Sequence, residues 1–448
     1  MPSRGSVKPE RIGRGLLWAG GMALVAWPLA VAGWSFAIEQ SSVGMALPDI
    51  RSGGWEVTGS RADVRPSVTA NGDVATIDFA PSSLVLTKHL TFVGADQPLT
   101  LNNLRTDLSN TTVTLDYGAN GPWAQRISID GDIRVDAARV EHPQLLPQTW
   151  NFQGRAKGRL ADLRVQGTLA SESGFTADLD IQLNPEGGVS VAIDSVIDGK
   201  QGVQALAETL VGWPDLLTVD SGNARLSMEV STGQGGELAA SGSVELQDVG
   251  GVFNRTAVSG LTGQVRGSLE NSRITTRFRD MTVGEINAGI PVTSVLFSGN
   301  YSAPVTELLA GTLEVQQARA RFLEGTLRVP PARYDLGGGS GRIPVEVEDV
   351  SLSRLMAVYP AEGLSGSGLL RGRVPLGISG DGVQVSAGSI SAIDPGGRLQ
   401  LPADKLQAML GGNQAMGIVV QALQNFHYSV LNSTIDYDEQ GKLSLGLR

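Results

Sequence analysis

A chain of 448 residues has room for two or three ordinary domains, yet it contains no cysteine, so disulfides and thiolate metal sites are excluded. The formal charge of −10, without any Lys/Arg stripe interleaved with aromatics, is the wrong footprint for a phosphate backbone, and nucleic acid is not an expected partner. Fifty-eight glycines and 5% aromatic residues predict many turns and thin side-chain packing.

The chain begins with a basic cluster, Arg4, Lys8, Arg11 and Arg14, followed by the stretch from Gly15 to Ile38, which holds no charged side chain. These 24 residues exceed the ~20 needed to cross a hydrocarbon core as a helix, and the upstream cations predict a cytoplasmic amino terminus. A cleaved signal peptide is the competing reading: Leu16 to Ala26 would serve as the apolar region, Pro28 breaks it, and Ala30-Val31-Ala32 resembles a cleavage site. The length of the run favours the retained anchor, since apolar regions of signal peptides usually span only ~7–15 residues. Residues 1–14 are then a cytoplasmic tail, 15–38 an anchor, and the remainder lies across the membrane with 31 basic and 44 acidic side chains, a formal charge of −13.

From about Trp55 onward the dominant signal is period-2 alternation in short runs bounded by turn residues, as in an all-β architecture. Val113, Leu115 and Tyr117 precede a turn at Asn120-Gly121; Ile127 and Ile129 precede a second turn at Asp130-Gly131; Ile133 and Val135 follow. The clearest hairpin is Leu179, Ile181 and Leu183, then Asn184-Pro185-Glu186-Gly187-Gly188 as a five-residue loop, then Val189, Val191 and Ile193. Leu226, Met228 and Val230, then Val244 and Leu246, then Val345 and Val347 continue the pattern.

Three stretches have helical spacing instead. The first comprises Val203, Leu206, Ala207, Leu210 and Val211, stopped by Gly212-Trp213-Pro214. The second comprises Leu352, Leu355, Met356 and Tyr359, with Ser351 as N-cap and Pro360 as stop. The third lies between Ala403 and Phe426, interrupted at Gly411-Gly412. Leu206 and Leu355 are 149 residues apart in similar contexts, which is either a weak internal repeat or the coincidence that any large α+β chain allows.

No catalytic constellation stands out. The three histidines, His89, His142 and His427, lie in separate segments, and His427 in Asn425-Phe426-His427-Tyr428 reads as a packed or capping residue. Gly337-Gly338-Gly339-Ser340-Gly341 lacks the lysine of a phosphate loop and reads as a flexible turn. Asp130 and Asp132, or Asp178 and Asp180, read as strand acids on a wet face. What remains is a long sheet, apolar on one side. Either that side closes on itself as the core of a sandwich or β-helix, or it curls into a trough able to hold acyl chains, each methylene removed from water contributing ~0.8 kcal/mol.

The carboxyl-terminal stretch bears on that choice. Asp349-Val350-Ser351-Leu352, Leu355 to Pro360, Glu362 to Gly368, Gly372-Arg373-Val374-Pro375-Leu376, Asp381-Gly382-Val383, Pro395-Gly396-Gly397-Arg398-Leu399, Leu423 to Tyr428 and Asp436 to Gly441 resemble, in order, a signature of the YdbH family. About the last hundred residues carry the similarity; residues 39–348 match in texture. That family belongs to the AsmA-like bridge proteins of Gram-negative envelopes, and its shared domain is also labelled dicarboxylate transport. The resemblance implies an inner-membrane, single-pass protein, its bulk in the periplasm, that conducts phospholipid toward the outer membrane along a β-groove.

The expected fold is therefore mostly β: a transmembrane helix, then a long twisted antiparallel sheet over 39–348 curled into a hydrophobic groove with a few short amphipathic helices, then a YdbH-like domain over 349–448. The expected groove residues are Val113, Leu115, Ile127, Ile129, Leu179, Ile181, Leu183, Val189, Val191 and Ile193. No enzymatic activity, cofactor or metal is expected. On the order of twenty stacked strands would span only ~100 Å, and the ending at Leu445-Gly446-Leu447-Arg448 falls within a strand. Leu443, Leu445 and Leu447 are the expected face for strand addition by a partner, which the resemblance implies is a small outer-membrane lipoprotein. The rivals are a non-transporting envelope scaffold or assembly factor and a carboxylate-solute component, although the arginine cluster that the latter needs is not evident.

Overall fold

The computed structural model describes residues 36–39, 43–46, 48–52, 55–79, 82–92, 98–184, 188–232, 238–270, 272–308, 310–337, 342–358, 365–379, 382–400, 426–438 and 442–447. These form two compact units, one comprising the chain up to Trp213 together with Leu226–Ala240, the other comprising Pro214–Arg225 and the chain from Ser241 onward. Both are mostly antiparallel sheet.

In the first unit, a meander of six strands follows chain order: β1 (Leu99–Asp116), β2 (Ile127–His142), β3 (Leu145–Arg159), β4 (Asp162–Ser171), β5 (Thr176–Leu183) and β6 (Val189–Asp198). Each pairs antiparallel with the next. On its other edge β1 takes two partners, Val74–Phe79 along its second half and Ser82–Phe92 along its first. The hairpin at Leu183 closes as the sequence predicts: Leu183 pairs with Val189, and the Asn184 amide donates to the Gly188 carbonyl at 2.8 Å.

Asp130-Gly131 is not a turn. Strand β2 runs straight through it, and a Cβ at Gly131 would collide with Thr111 on β1. This glycine serves close strand approach, a use that the dipeptide alone does not distinguish from turn chemistry. A second close approach lies at Gly154 and Gly167, which face each other across β3 and β4. A Cβ on Gly154 would meet the Gln166 carbonyl and the Phe152 ring, and one on Gly167 the Gln153 carbonyl.

Helix α1 (Gly199–Ala207) is shorter than its apolar spacing suggests. Leu210 has been drawn into a bridge with Leu145, and Val211 is exposed. The helix end is held by hydroxyls: Thr209 Oγ1 donates to the Ala205 carbonyl at 2.7 Å, Ser173 Oγ to the same carbonyl at 3.0 Å, and Gln148 Nε2 to Thr209 Oγ1 at 3.2 Å.

The second unit continues the same grammar with β7 (Thr256–Glu270), β8 (Arg273–Asn287), β9 (Pro291–Pro304), β10 (Thr312–Phe322), β11 (Gly325–Val329) and β12 (Arg342–Ser351). Helix α2 (Leu352–Val358) follows, capped as expected by Ser351, whose Oγ accepts from the Arg354 amide at 3.3 Å. Then come β13 (Ser365–Ser367), β14 (Leu369–Ser379), β15 (Gly382–Ala392), β16 (Gly397–Gln400), β17 (Phe426–Tyr428), β18 (Asn432–Tyr437) and β19 (Leu443–Leu447). Strands β12, β14, β15, β18 and β19 pair in that order, while β13, β16 and β17 form a separate small sheet.

Bulges interrupt the ladders at residues that tolerate a left-handed backbone. Asn110 on β1, Asp280 on β8, Ser294 on β9, Asp349 on β12 and Ala387 on β15, with φ between 49° and 55°, each fall where one strand carries an extra residue. Such insertions bend a strand and increase its twist. Among the described residues no helix is long and apolar enough to cross a membrane. The expected anchor lies outside the described residues apart from Phe36–Ile38, which belong to a strand paired with Pro66–Asn71. The third expected helix is also outside, except for Phe426 in β17.

If the glycine pair sets how closely β3 and β4 approach, Gly167→Ala will destabilise the protein by about 1–3 kcal/mol, the usual cost of overpacking. Gly267→Ala, whose Cβ has only the Thr275 carbonyl at 3.8 Å nearby, will be near neutral. Urea unfolding of the two variants measures the difference.

Candidate functional site

Directly opposed residues of an antiparallel pair share a face of the sheet. Val113 opposes Ile129 and Leu115 opposes Ile127 across β1 and β2. Ile129 opposes Gly158, which opposes Leu163. Two residues further along β4, Val165 opposes Ile181, and Ile181 opposes Val191; Leu179 opposes Ile193 and Leu183 opposes Val189. The ten residues singled out by alternation therefore occupy one face of the first unit, joined by Ile77, Ala156 and Leu169.

None of the ten is buried and none is fully exposed. The residues sealed from solvent in this unit are mostly small, such as Ala70, Ala75, Ala156 and Ala177, joined by Val68 and Val140, and the largest side chain essentially without exposure among the described residues is Thr111.

The opposite face is polar and internally paired. Arg155 reaches Asp130 at 2.6 Å and Asp132 at 3.5 Å, and Arg164 Nε donates to Asp180 Oδ1 at 2.9 Å. Gln166 Nε2 also donates to Asp180, and Thr168 Oγ1 to Asp178 at 2.8 Å. The Arg155 hydrogen bond holds the Asp130 carboxyl below the usual carboxylate range, and the Arg164 hydrogen bond does the same for Asp180. These carboxylates are neutralised by partners across the strands and are not arranged as an acid–base pair.

In the second unit an apolar face runs through Val265, Phe278, Gly299 and Val315, with Phe278 and Phe297 tilted at 5.5 Å between centroids. Here the face becomes sealed. Val347, Leu370 and Ile390 from the ladder, Leu352 and Leu355 from α2, and Leu399, Tyr428 and Leu431 form one buried cluster. Tyr428 Oη donates to the Ser367 carbonyl at 2.7 Å, and burial raises the pKa of its hydroxyl.

The blocks that carry the family resemblance thus build a packed end. Asp349 is the bulge, Ser351 the helix cap, and Leu352, Leu355 and Leu399 the core. Sequence reasoning missed the bulge residues and the Gln148–Ser173–Thr209 latch; the only signal for the latter was Ser171-Glu172-Ser173 beside a predicted helix. His427 is exposed and not packed as expected. The glycine run 338–341 lies outside the described residues. Leu443, Leu445 and Leu447 oppose Tyr437, Ile435 and Ser433 in β19, whose pairing among the described residues is with β18. Among the described residues no group of His, Asp and Glu is placed to hold a metal ion.

The first unit is an antiparallel ladder with one apolar and one ion-paired face, and both units are mostly antiparallel sheet. The chain belongs to the YdbH-like family, described as intermembrane phospholipid transport protein YdbH, whose profile matches residues 51–448. No curated protein and no solved structure matches the chain.

Leu355→Ala, which opens a hole in the sealed cluster, will cost about 2–5 kcal/mol, whereas Val191→Ala on the half-covered face will cost less; chemical denaturation distinguishes them. The Asp180 pair stabilises the fold fully above the unfolded carboxylate value of ~3.9, and that contribution is lost as pH falls through the depressed folded value. Asp180→Asn will therefore flatten the decline in unfolding midpoint as the pH is lowered through about 4, as followed by circular dichroism.

Proposed function

We propose that the protein is an inner-membrane-anchored periplasmic bridge that conducts phospholipid toward the outer membrane, with acyl chains sliding along the apolar face of the sheet. The observation that carries this reading is the single-faced placement of Val113, Leu115, Ile127, Ile129, Leu179, Ile181, Leu183, Val189, Val191 and Ile193, all half-covered. The bulge at Asn110 and the Gly154–Gly167 approach would favour the curvature that turns such a face into a trough. Membership of a family named for intermembrane phospholipid transport supplies the cargo.

An acyl chain is a suitable ligand for this surface. At ~0.8 kcal/mol per methylene, a tail of ordinary length gains several kcal/mol on leaving water without any directional contact, so it can slide without breaking a strong bond. The head group stays at the open seam and avoids the cost of burying charge. The anchor in this reading is the uncharged stretch that begins at Gly15. With Phe36 in a strand, the crossing narrows to residues 15–35, which at 1.5 Å per residue is about 31 Å, still the thickness of a hydrocarbon core. Strand β19 is the edge on which a small outer-membrane lipoprotein would add a strand.

Ile181→Asp or Val191→Arg will stop lipid transfer while leaving the fold and envelope localisation intact, since one charge on the sliding surface blocks passage. A photo-crosslinking residue at Ile181 or Val191, followed by mass spectrometry of the adduct, will recover phospholipid. Recovery of protein partners with no lipid would replace the conduit by a scaffold.

A further inference from the structure

Three of the signature blocks contribute something that packing does not use. Gly366-Ser367-Gly368, Gly397-Arg398-Leu399 and Phe426-His427-Tyr428 are far apart in sequence, yet they form the small sheet of β13, β16 and β17. One face of that sheet, with Leu399 and Tyr428, enters the buried cluster. The other face carries two cross-strand rows: Ser365 opposes Gln400 and donates to its Oε1 at 3.0 Å, while Ser367 opposes Arg398 and Arg398 opposes His427. Directly opposed side chains start from Cβ atoms about 4.5–5.5 Å apart, so Arg398 stands in the row with Ser367 on one side and His427 on the other.

The row offers three groups able to donate. Ser367 and His427 are exposed, whereas Arg398 is half-buried, and its Nε is removed from solvent without a hydrogen-bond partner among the described residues. No carboxylate among the described residues forms an ion pair with Arg398 or His427. Closed to water, Nε is closed to a phosphate oxygen as well, so the donors of the row that a ligand could meet are the Arg398 terminal nitrogens, the Ser367 hydroxyl and the His427 ring. A hydroxyl, a guanidinium and an imidazole in one row offer the donor set that an oxyanion with several equivalent oxygens accepts from.

We infer that the row Ser367–Arg398–His427 binds a phosphate group, and that the group is the phosphodiester of a phospholipid head. The phosphate chemistry stands on the row alone, while the lipid as its source rests on the transport reading above. The site would hold the head group beside the sealed cluster of Leu352, Leu355 and Leu399, with the exposed Phe426 next to His427 on the same strand.

The test uses the purified full chain in detergent, titrated calorimetrically with inorganic phosphate, with soluble glycerophosphoglycerol and with short-chain phosphatidylglycerol. The wild-type protein will bind the head group and the short-chain lipid. Arg398→Ala and His427→Ala will weaken both by at least about tenfold, and Arg398→Lys, which keeps the charge without the planar fork, by less. His427→Ala removes an exposed side chain, so it carries the test if Arg398→Ala fails to fold. Binding that is unchanged in both alanine variants overturns the site. Binding of inorganic phosphate without glycerophosphoglycerol overturns the lipid assignment. Lipid adducts at Ile181 report separately on the conduit: their loss with head-group binding intact sinks the transport reading and leaves the phosphate site standing.

Discussion

The structure depends on the register of the antiparallel ladder in each unit. Because side chains alternate, direct opposition transmits face identity from strand to strand, and a slip of one residue would exchange the apolar and charged faces along the rest of the sheet. Short connections fix the register, as between Arg159 and Asp162 or Ser171 and Thr176. Polar pairs reinforce it: a shifted β3 would separate Arg155 from Asp130 and Asp132, and a shifted β5 would separate Asp180 from Arg164 and Gln166. Each exposed pair contributes little to stability, but together they penalise the wrong alignment.

The two units treat their apolar faces differently, and the difference lies in what covers them. In the second unit α2 and the small sheet lie over Val347, Leu370 and Ile390, and nine residues become buried together. In the first unit the ten aliphatic side chains of the face stop short of full burial, which is reached by Val68 and Val140 and by alanine, serine and threonine. A fully covered aliphatic side chain gains about 1.5–3 kcal/mol over an exposed one, so leaving ten of them half-covered forgoes stability that a closed sandwich would have kept.

Much of this was legible because period 2 is a strong local signal. The Leu183–Val189 hairpin, the alternating residues on one face and the capped helix at Leu352 follow from spacing and turn chemistry alone. The failures share a physical cause, which is that one residue type serves two structural uses. Gly131 and Gly121 both follow a small polar residue, but only tertiary packing shows that Gly131 admits Thr111 and does not turn the chain. Leu210 fits a helical stripe, yet its backbone was taken by a bridge to Leu145. Asp349 and Asp280 look like ordinary wet-face acids and are instead the left-handed residues of bulges.

The uneven clarity of the family resemblance has the same origin. A surface that carries acyl chains needs apolar area but no particular shape, because dispersion and the loss of hydration do not distinguish valine from isoleucine at a given position. Many sequences satisfy it, so residues 39–348 read by eye as texture although the family match begins at residue 51. A sealed cluster has to interlock: Leu355 must fit beside Leu370 and Tyr428, Gly397 must leave room for the Tyr428 hydroxyl, and Asp349 must accept a left-handed backbone where β12 bulges. Such requirements name residues, not classes. The blocks readable by eye therefore gather where the second unit closes, and the surface proposed to carry the cargo is the part with the least distinctive spelling.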